Sequence, residues 1–150
     1  MPITLAVHIL SFGLVATGVI GGDVVDGAIR GALRRGAPQE AGAIAGMMLR
    51  LAVAAQVGAG LLILTGVGLL AEAHWARWGQ GWLTVKLILV GVLILNGPLV
   101  ARPAAVALRT ALQAGKLDAT APPLRRLALF HIVQTSGLIG IVVLAVLKPF

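Results

Sequence analysis

Few side chains in this sequence can do chemistry, and those that can are set in long apolar runs. His8 stands in Val7-His8-Ile9-Leu10, Lys86 in Thr84-Val85-Lys86-Leu87, and His131 in Phe130-His131-Ile132-Val133. A neutral imidazole beside an ammonium can ligate haem iron, relay a proton or hold an anionic propionate. Ionisable groups at membrane depth are costly and mark function by default. The bland alternative is that Lys86 snorkels to the interface while His8 bonds a backbone carbonyl.

The elements that must position these residues follow from composition. Of 150 residues, 59% are apolar and 11% charged, with a mean hydropathy of +1.00. Soluble domains carry about 25% charged residues, so there are too few charges to cover a water-facing globule. A soluble enzyme, a disordered tail and a nucleic-acid-binding domain are excluded. The absence of cysteine removes disulfides, thiolate metal sites and cysteine nucleophiles.

A spanning helix needs about 20 mostly apolar residues, and four segments qualify, over 3–25, 45–71, 82–100 and 127–147. They lack the alternation of a membrane β-barrel. The sequence therefore predicts an all-α, integral membrane four-helix bundle, a single domain over 1–150. An amphipathic loop helix is expected over 104–114, with Arg109 on its polar side. Gly97-Pro98 is expected to close the third span, and Pro122-Pro123 to end the loop before the fourth. The opening Met1-Pro2-Ile3-Thr4 carries no basic side chain, so the first span reads as a mature helix rather than a signal peptide. Gly18/Gly22 and Gly42/Gly46 form small-xxx-small pairs suited to close helix approach.

Orientation follows from the cations. Call the N-terminal side A and the other B. Arg30, Arg34, Arg35, Arg102, Arg109, Lys116, Arg125 and Arg126 fall on B, and only Arg77 and Lys148 on A. By the positive-inside rule B is cytoplasmic and both termini are non-cytoplasmic. The net charge of +7 then signals orientation rather than a nucleic-acid partner. Trp75, Trp78 and Trp82 cluster at side A, as an interfacial aromatic belt would. The expected location is the bacterial inner membrane, with multiple passes.

Within this topology the polar residues form two layers. Near A, His8 on the first span and Lys86 on the third reach similar depth, with Thr65 approaching them. Near B lie His131, Asn96, Gln56, Asp23 and Asp26. The two aspartates share a helix face, and Arg50 is their expected partner. His8 and His131 differ in depth by roughly twelve residues, about 18 Å, whereas axial ligands of one iron stand about 4 Å apart. One haem held by both is excluded. His74 and Glu72 could approach His8 and form a metal site. No nucleophile elbow, phosphate loop, Rossmann fingerprint or zincin motif is present.

Three features together resemble a known group: His8 in the first third of helix 1, Gly81-Trp82-Leu83-Thr84-Val85-Lys86-Leu87 opening helix 3, and the Leu147-Lys148-Pro149-Phe150 end. The chain resembles the HemJ-type protoporphyrinogen oxidases and the related CopD-like four-helix bacterial membrane proteins. The resemblance implies haem b as cofactor, with His8 as metal ligand, His8 and Lys86 as the key catalytic pair, and His131 and Asn96 as further cofactor-binding positions. The chain departs from the HemJ pattern in three places. Asp23-Val24 stands where that family has an arginine, Asn96 where it has a histidine, and His131-Ile132-Val133-Gln134 where it has Asn-Glu-x-Pro.

Three readings follow. The first is a haem- or tetrapyrrole-associated membrane oxidoreductase. The second is a non-enzymatic accessory or assembly subunit, in a homo-oligomer or a larger membrane complex. The third, CopD-like copper handling, is disfavoured by the lack of cysteine and by only three methionines, because Cu(I) prefers soft sulfur ligands. In every reading the lipid bilayer is a partner and nucleic acid is not.

Overall fold

The computed structural model describes residues 2–76 and 78–147, apart from the side chain of Pro2. Arg77 and Lys148, the two cations expected on side A, and the Pro149-Phe150 end lie outside the described residues. Among the described residues all regular structure is helical. Helices α1 (Pro2–Arg34) and α2 (Pro38–Glu72) form an antiparallel hairpin. Helix α3 (Gly81–Asn96) passes through a π-helical segment (Gly97–Ala101) into α4 (Arg102–Gln113). A short 3-10 turn (Leu117–Thr120) leads into α5 (Ala121–Leu147), which returns along α3. Four rods are long and apolar enough to cross a membrane: Ile3–Arg34, Pro38–Glu72, Gly81–Gln113 and Leu117–Leu147. The chain is a multi-pass, all-helical membrane protein.

The rods are longer than the sequence pattern suggests. α1 has 33 residues and α2 has 35, about 50 Å each at 1.5 Å per residue. The loop expected after residue 25 is helix as far as Arg34, because polar residues end an apolar run without ending a helix. Asp26 and Arg30, spaced i and i+4, support the helix there. Nor does Gly97-Pro98 close the third span. The missing N–H of Pro98 and its ring are absorbed by a local widening, seen in the bond from the Arg102 N–H to the Gly97 carbonyl. Pro122 and Pro123 lie in the first turn of α5 rather than before it, where proline costs little. What reads as a 101–126 loop is thus mostly helix.

The turns share one device. After α1 the Ala37 N–H bonds the Ala32 carbonyl and the Gly36 N–H bonds Leu33, with Gly36 at φ +71°. After α4 the Lys116 N–H bonds Ala111 and the Gly115 N–H bonds Leu112, with Gly115 at φ +66°. Both are Schellman caps, which require a left-handed residue and favour glycine. The turn after α2 repeats the pattern, Trp75 to Leu70 and His74 to Ala71, but with His74 at φ +50° and Trp75 at φ +59°. That turn stores strain that glycine would relieve.

In order, α3 packs on α5, α5 on α1, and α1 on α2, while α4 touches both α2 and α5. α3 has no more than a passing contact with α1 or α2. The assembly is therefore closed by α4 at the arginine-rich end and open between α3 and the α1–α2 hairpin at the tryptophan-rich end. The continuous buried core also lies at the arginine-rich end: Val25, Ile29, Ala32, Ala41, Ala104, Leu108, Leu124 and Leu127. On α4 the buried positions are Ala104, Leu108 and Ala111, with Arg109 exposed on the other face.

Along the spans, helices meet through glycine instead. A Cβ on Gly18 would come 2.6 Å from the Ala55 Cβ, and one on Gly58 3.0 Å from the Ser11 carbonyl oxygen. A Cβ on Gly60 would meet nothing within 4 Å. Gly18→Leu or Gly58→Leu is expected to lower stability by about 1–3 kcal/mol through overpacking, while Gly60→Leu, facing open space, is near neutral. Thermal unfolding in phosphatidylcholine bicelles measures the contrast. In the same assay His74→Gly should raise stability by about 0.5–1 kcal/mol.

Candidate functional site

At the tryptophan-rich end, α1 and α2 run antiparallel and bring His8 against Thr65. The His8 Nδ1 is 2.8 Å from the Thr65 hydroxyl oxygen, and that hydroxyl is 2.6 Å from the Leu61 carbonyl. A threonine has one hydroxyl proton, and the carbonyl one turn back can only accept. The hydrogen-bond network therefore assigns the imidazole proton to Nδ1, donated to Thr65, and leaves a lone pair on Nε2. Metal-binding histidines characteristically have this arrangement, with the second ring nitrogen held by a neighbour. Gly66, one residue on, lies beside the ring, where a Cβ would make an ordinary contact of 3.5 Å with His8 Cε1.

Lys86 projects from α3 at the open side of the same end, close enough for its charge to act on His8. It is half-buried and has no hydrogen-bond or ion-pair partner among the described residues. Two groups towards this end thus define the layer: an imidazole held by Thr65, and an ammonium with no counter-ion among the described residues. Further towards the end, Glu72 accepts a 2.5 Å hydrogen bond from Thr4. Among the described residues no group of histidine and carboxylate side chains could hold a metal ion, so the site considered for His8, His74 and Glu72 is not formed.

The second layer lies towards the arginine-rich end and joins α1, α3 and α5. His131 is buried against α1 where Gly22 leaves room; a Cβ on Gly22 would fall 2.9 Å from His131 Cε1. The His131 Nδ1 is 3.2 Å from an Asp23 carboxylate oxygen, yet the ring N–H is not directed at it and neither ring nitrogen makes a hydrogen bond. This is a close approach rather than a directed bond. Thr135 donates to the other Asp23 oxygen at 3.2 Å. Asn96 donates to Gln134 at 3.2 Å and to the Phe130 carbonyl at 3.4 Å. Such side-chain bonds are the ordinary glue between membrane helices.

His8 and Lys86 lie towards the same end of the molecule, while His131 and Asn96 lie elsewhere. His131 seats on Gly22, which lies 14 residues along α1 from His8, or about 21 Å. His131 and Asn96 belong to a separate layer with its own partners.

The expected pairing of Arg50 with the helix-1 aspartates is not found. Asp26 is buried and pairs with Arg30 at 2.8 Å, and Arg30 also donates to the Leu124 carbonyl. Asp23 is approached by His131 and bonded by Thr135, while Arg50 is exposed and has no partner among the described residues. The i, i+4 spacing of Asp26 and Arg30 was the signal for the correct partner. Nothing in the sequence marked Gly22 as the seat of His131, because that requires knowing which α5 residue faces it.

No family profile, curated protein or solved structure matches the chain.

Arg30 ties α1 to the start of α5 beside a buried carboxylate, so Arg30→Met should destabilise the fold by about 1–3 kcal/mol by stranding Asp26. Arg50→Gln should be within about 0.5 kcal/mol of the parent, as exposed substitutions are. Chemical or thermal denaturation of both variants in the same lipid distinguishes this pairing from the one with Arg50.

Proposed function

We propose that this protein is a haem-associated redox protein of the bacterial inner membrane, resembling the HemJ-type oxidases in how it holds the tetrapyrrole. The observation that carries the reading is the contact of His8 Nδ1 with the Thr65 hydroxyl. With Nδ1 held by Thr65, Nε2 would be the nitrogen that holds iron. The donor set fits haem b: one imidazole base, and one ammonium without a counter-ion for an anionic propionate. The opening between α3 and the α1–α2 hairpin leaves a side from which a flat apolar ligand can reach both groups. Bound haem would supply one-electron chemistry. In this reading Thr65 orients the imidazole and keeps it neutral, and Lys86 holds the propionate end. His131 and Asn96 stand in the other layer and are not ligands to the same group.

Protein produced with ample haem and purified in mild detergent should show a Soret band that His8→Ala abolishes. Thr65→Val should retain the fold and weaken haem retention by about tenfold or more, as loss of a ligand's hydrogen-bond partner does. Lys86→Gln should lower retention while leaving the ligand field of the iron unchanged. A colourless wild-type protein, or a Soret band that survives His8→Ala, overturns the reading. Either result would favour a non-enzymatic subunit of a larger membrane complex.

A further inference from the structure

We propose that the groove between α2 and α4 at the arginine-rich end binds an anionic phospholipid of the adjoining leaflet. The groove holds about 400 Å³ and is walled by Pro38, Gly42 and Gly46 on α2 and by Arg109, Leu112 and Gln113 on α4. Its floor is glycine, and a Cβ built on Gly42 or Gly46 meets nothing within 4 Å. These two glycines therefore serve no helix–helix contact within the chain, unlike Gly18 and Gly58.

The charge of the groove selects its occupant. No acidic side chain lines it. Arg109 is exposed and without an ion pair or hydrogen bond among the described residues. Glu40, beside the groove in sequence, is already bound to Arg35 at 2.8 Å. Arg102 precedes Arg109 by one heptad, hence on the same helix face, and is likewise unpaired. A second copy of this chain would bring its own arginines against this face and be repelled. An anionic headgroup is attracted to such a cationic site at a membrane face.

The position of the groove supports a lipid. Met47 and Leu49 lie beyond Arg50 from the membrane centre, yet are 57% and 64% exposed. The apolar sleeve of α2 thus continues past Arg50 to the level of Gly46. Pro38, at the outer end, is eight residues further along α2, about 12 Å. An occupant of the groove meets both apolar side chains and the Arg109 guanidinium, as a phospholipid's chains and headgroup would.

The test uses the full chain released from nanodiscs that hold equal amounts of phosphatidylglycerol and phosphatidylcholine with identical acyl chains, read by native mass spectrometry. Phosphatidylglycerol should be retained in preference to phosphatidylcholine. Arg109→Gln should weaken that retention about fivefold, the effect of one cation near the membrane surface. Gly46→Leu should weaken it by filling the floor, with an unchanged melting temperature in phosphatidylcholine alone. Arg125→Gln, equally exposed but outside the groove, should have no effect. Equal retention of the two lipids overturns the proposal, as does an Arg125→Gln loss matching that of Arg109→Gln. So does a Gly46→Leu variant that keeps the lipid.

Discussion

The structure depends on a mismatch of lengths: helices of about 50 Å cross a hydrocarbon layer of about 30 Å. Each rod therefore lies in two solvents, and each solvent imposes its own rule of assembly. Inside the bilayer, lipid tails are as apolar as leucine, so burying leucine on a neighbouring helix gains little. There the helices touch through Gly18, Gly58 and Gly137 and through a few polar bonds. At the arginine-rich end the helices instead share a continuous core of Ile29, Ala32, Leu108 and Leu127. The open tryptophan-rich end and the closed arginine-rich end are consequences of this division.

The same division explains the state of the polar residues. Within the spans a polar group without a partner is costly, and most have found one across a helix seam: His8 with Thr65, Asn96 with Gln134, Asp23 with Thr135. Arg50, Arg102 and Arg109 are exposed and have no partner among the described residues at the other end, where headgroups and water can solvate them. Asp26 is the intermediate case. It is buried in the core at the membrane boundary, and Arg30 reaches it from one turn along the same helix before also meeting α5.

Composition alone was enough to name the solvent and count the crossings, because lipid imposes a strong, nearly one-dimensional constraint on the chain. Periodicity also marked the apolar face of α4. The helix ends were not legible. Arginines 30 and 34 look like a loop to a hydropathy reading, yet they continue α1 to within two residues of the glycine that adopts a left-handed turn. Pro98 looks like a stop, yet a single π-helical widening absorbs it. At the site, depth arithmetic placed His8 beside Lys86 and apart from His131, because rise per residue is a fixed number. It could not choose partners around the helix axis. Arg50 was expected to pair with aspartates that His131, Thr135 and Arg30 in fact hold, since azimuth is set by packing rather than by depth.

The choice of threonine as the partner of His8 carries its own logic. A carboxylate at that position would hold the imidazole more strongly, but it would add a second ion in the bilayer and pair with Lys86. Thr65 fixes the ring through a neutral hydroxyl whose own proton is committed to the Leu61 carbonyl. The imidazole is then oriented without being charged, and Lys86 remains the cation without a counter-ion. An ammonium held at membrane depth is stabilised by water at the interface or by an anion brought to it. In the proposed reading, a ligand that supplied both an iron for the imidazole and a carboxylate for the ammonium would answer both groups at once. Neither group alone would distinguish such a ligand from a simple metal ion or a simple anion.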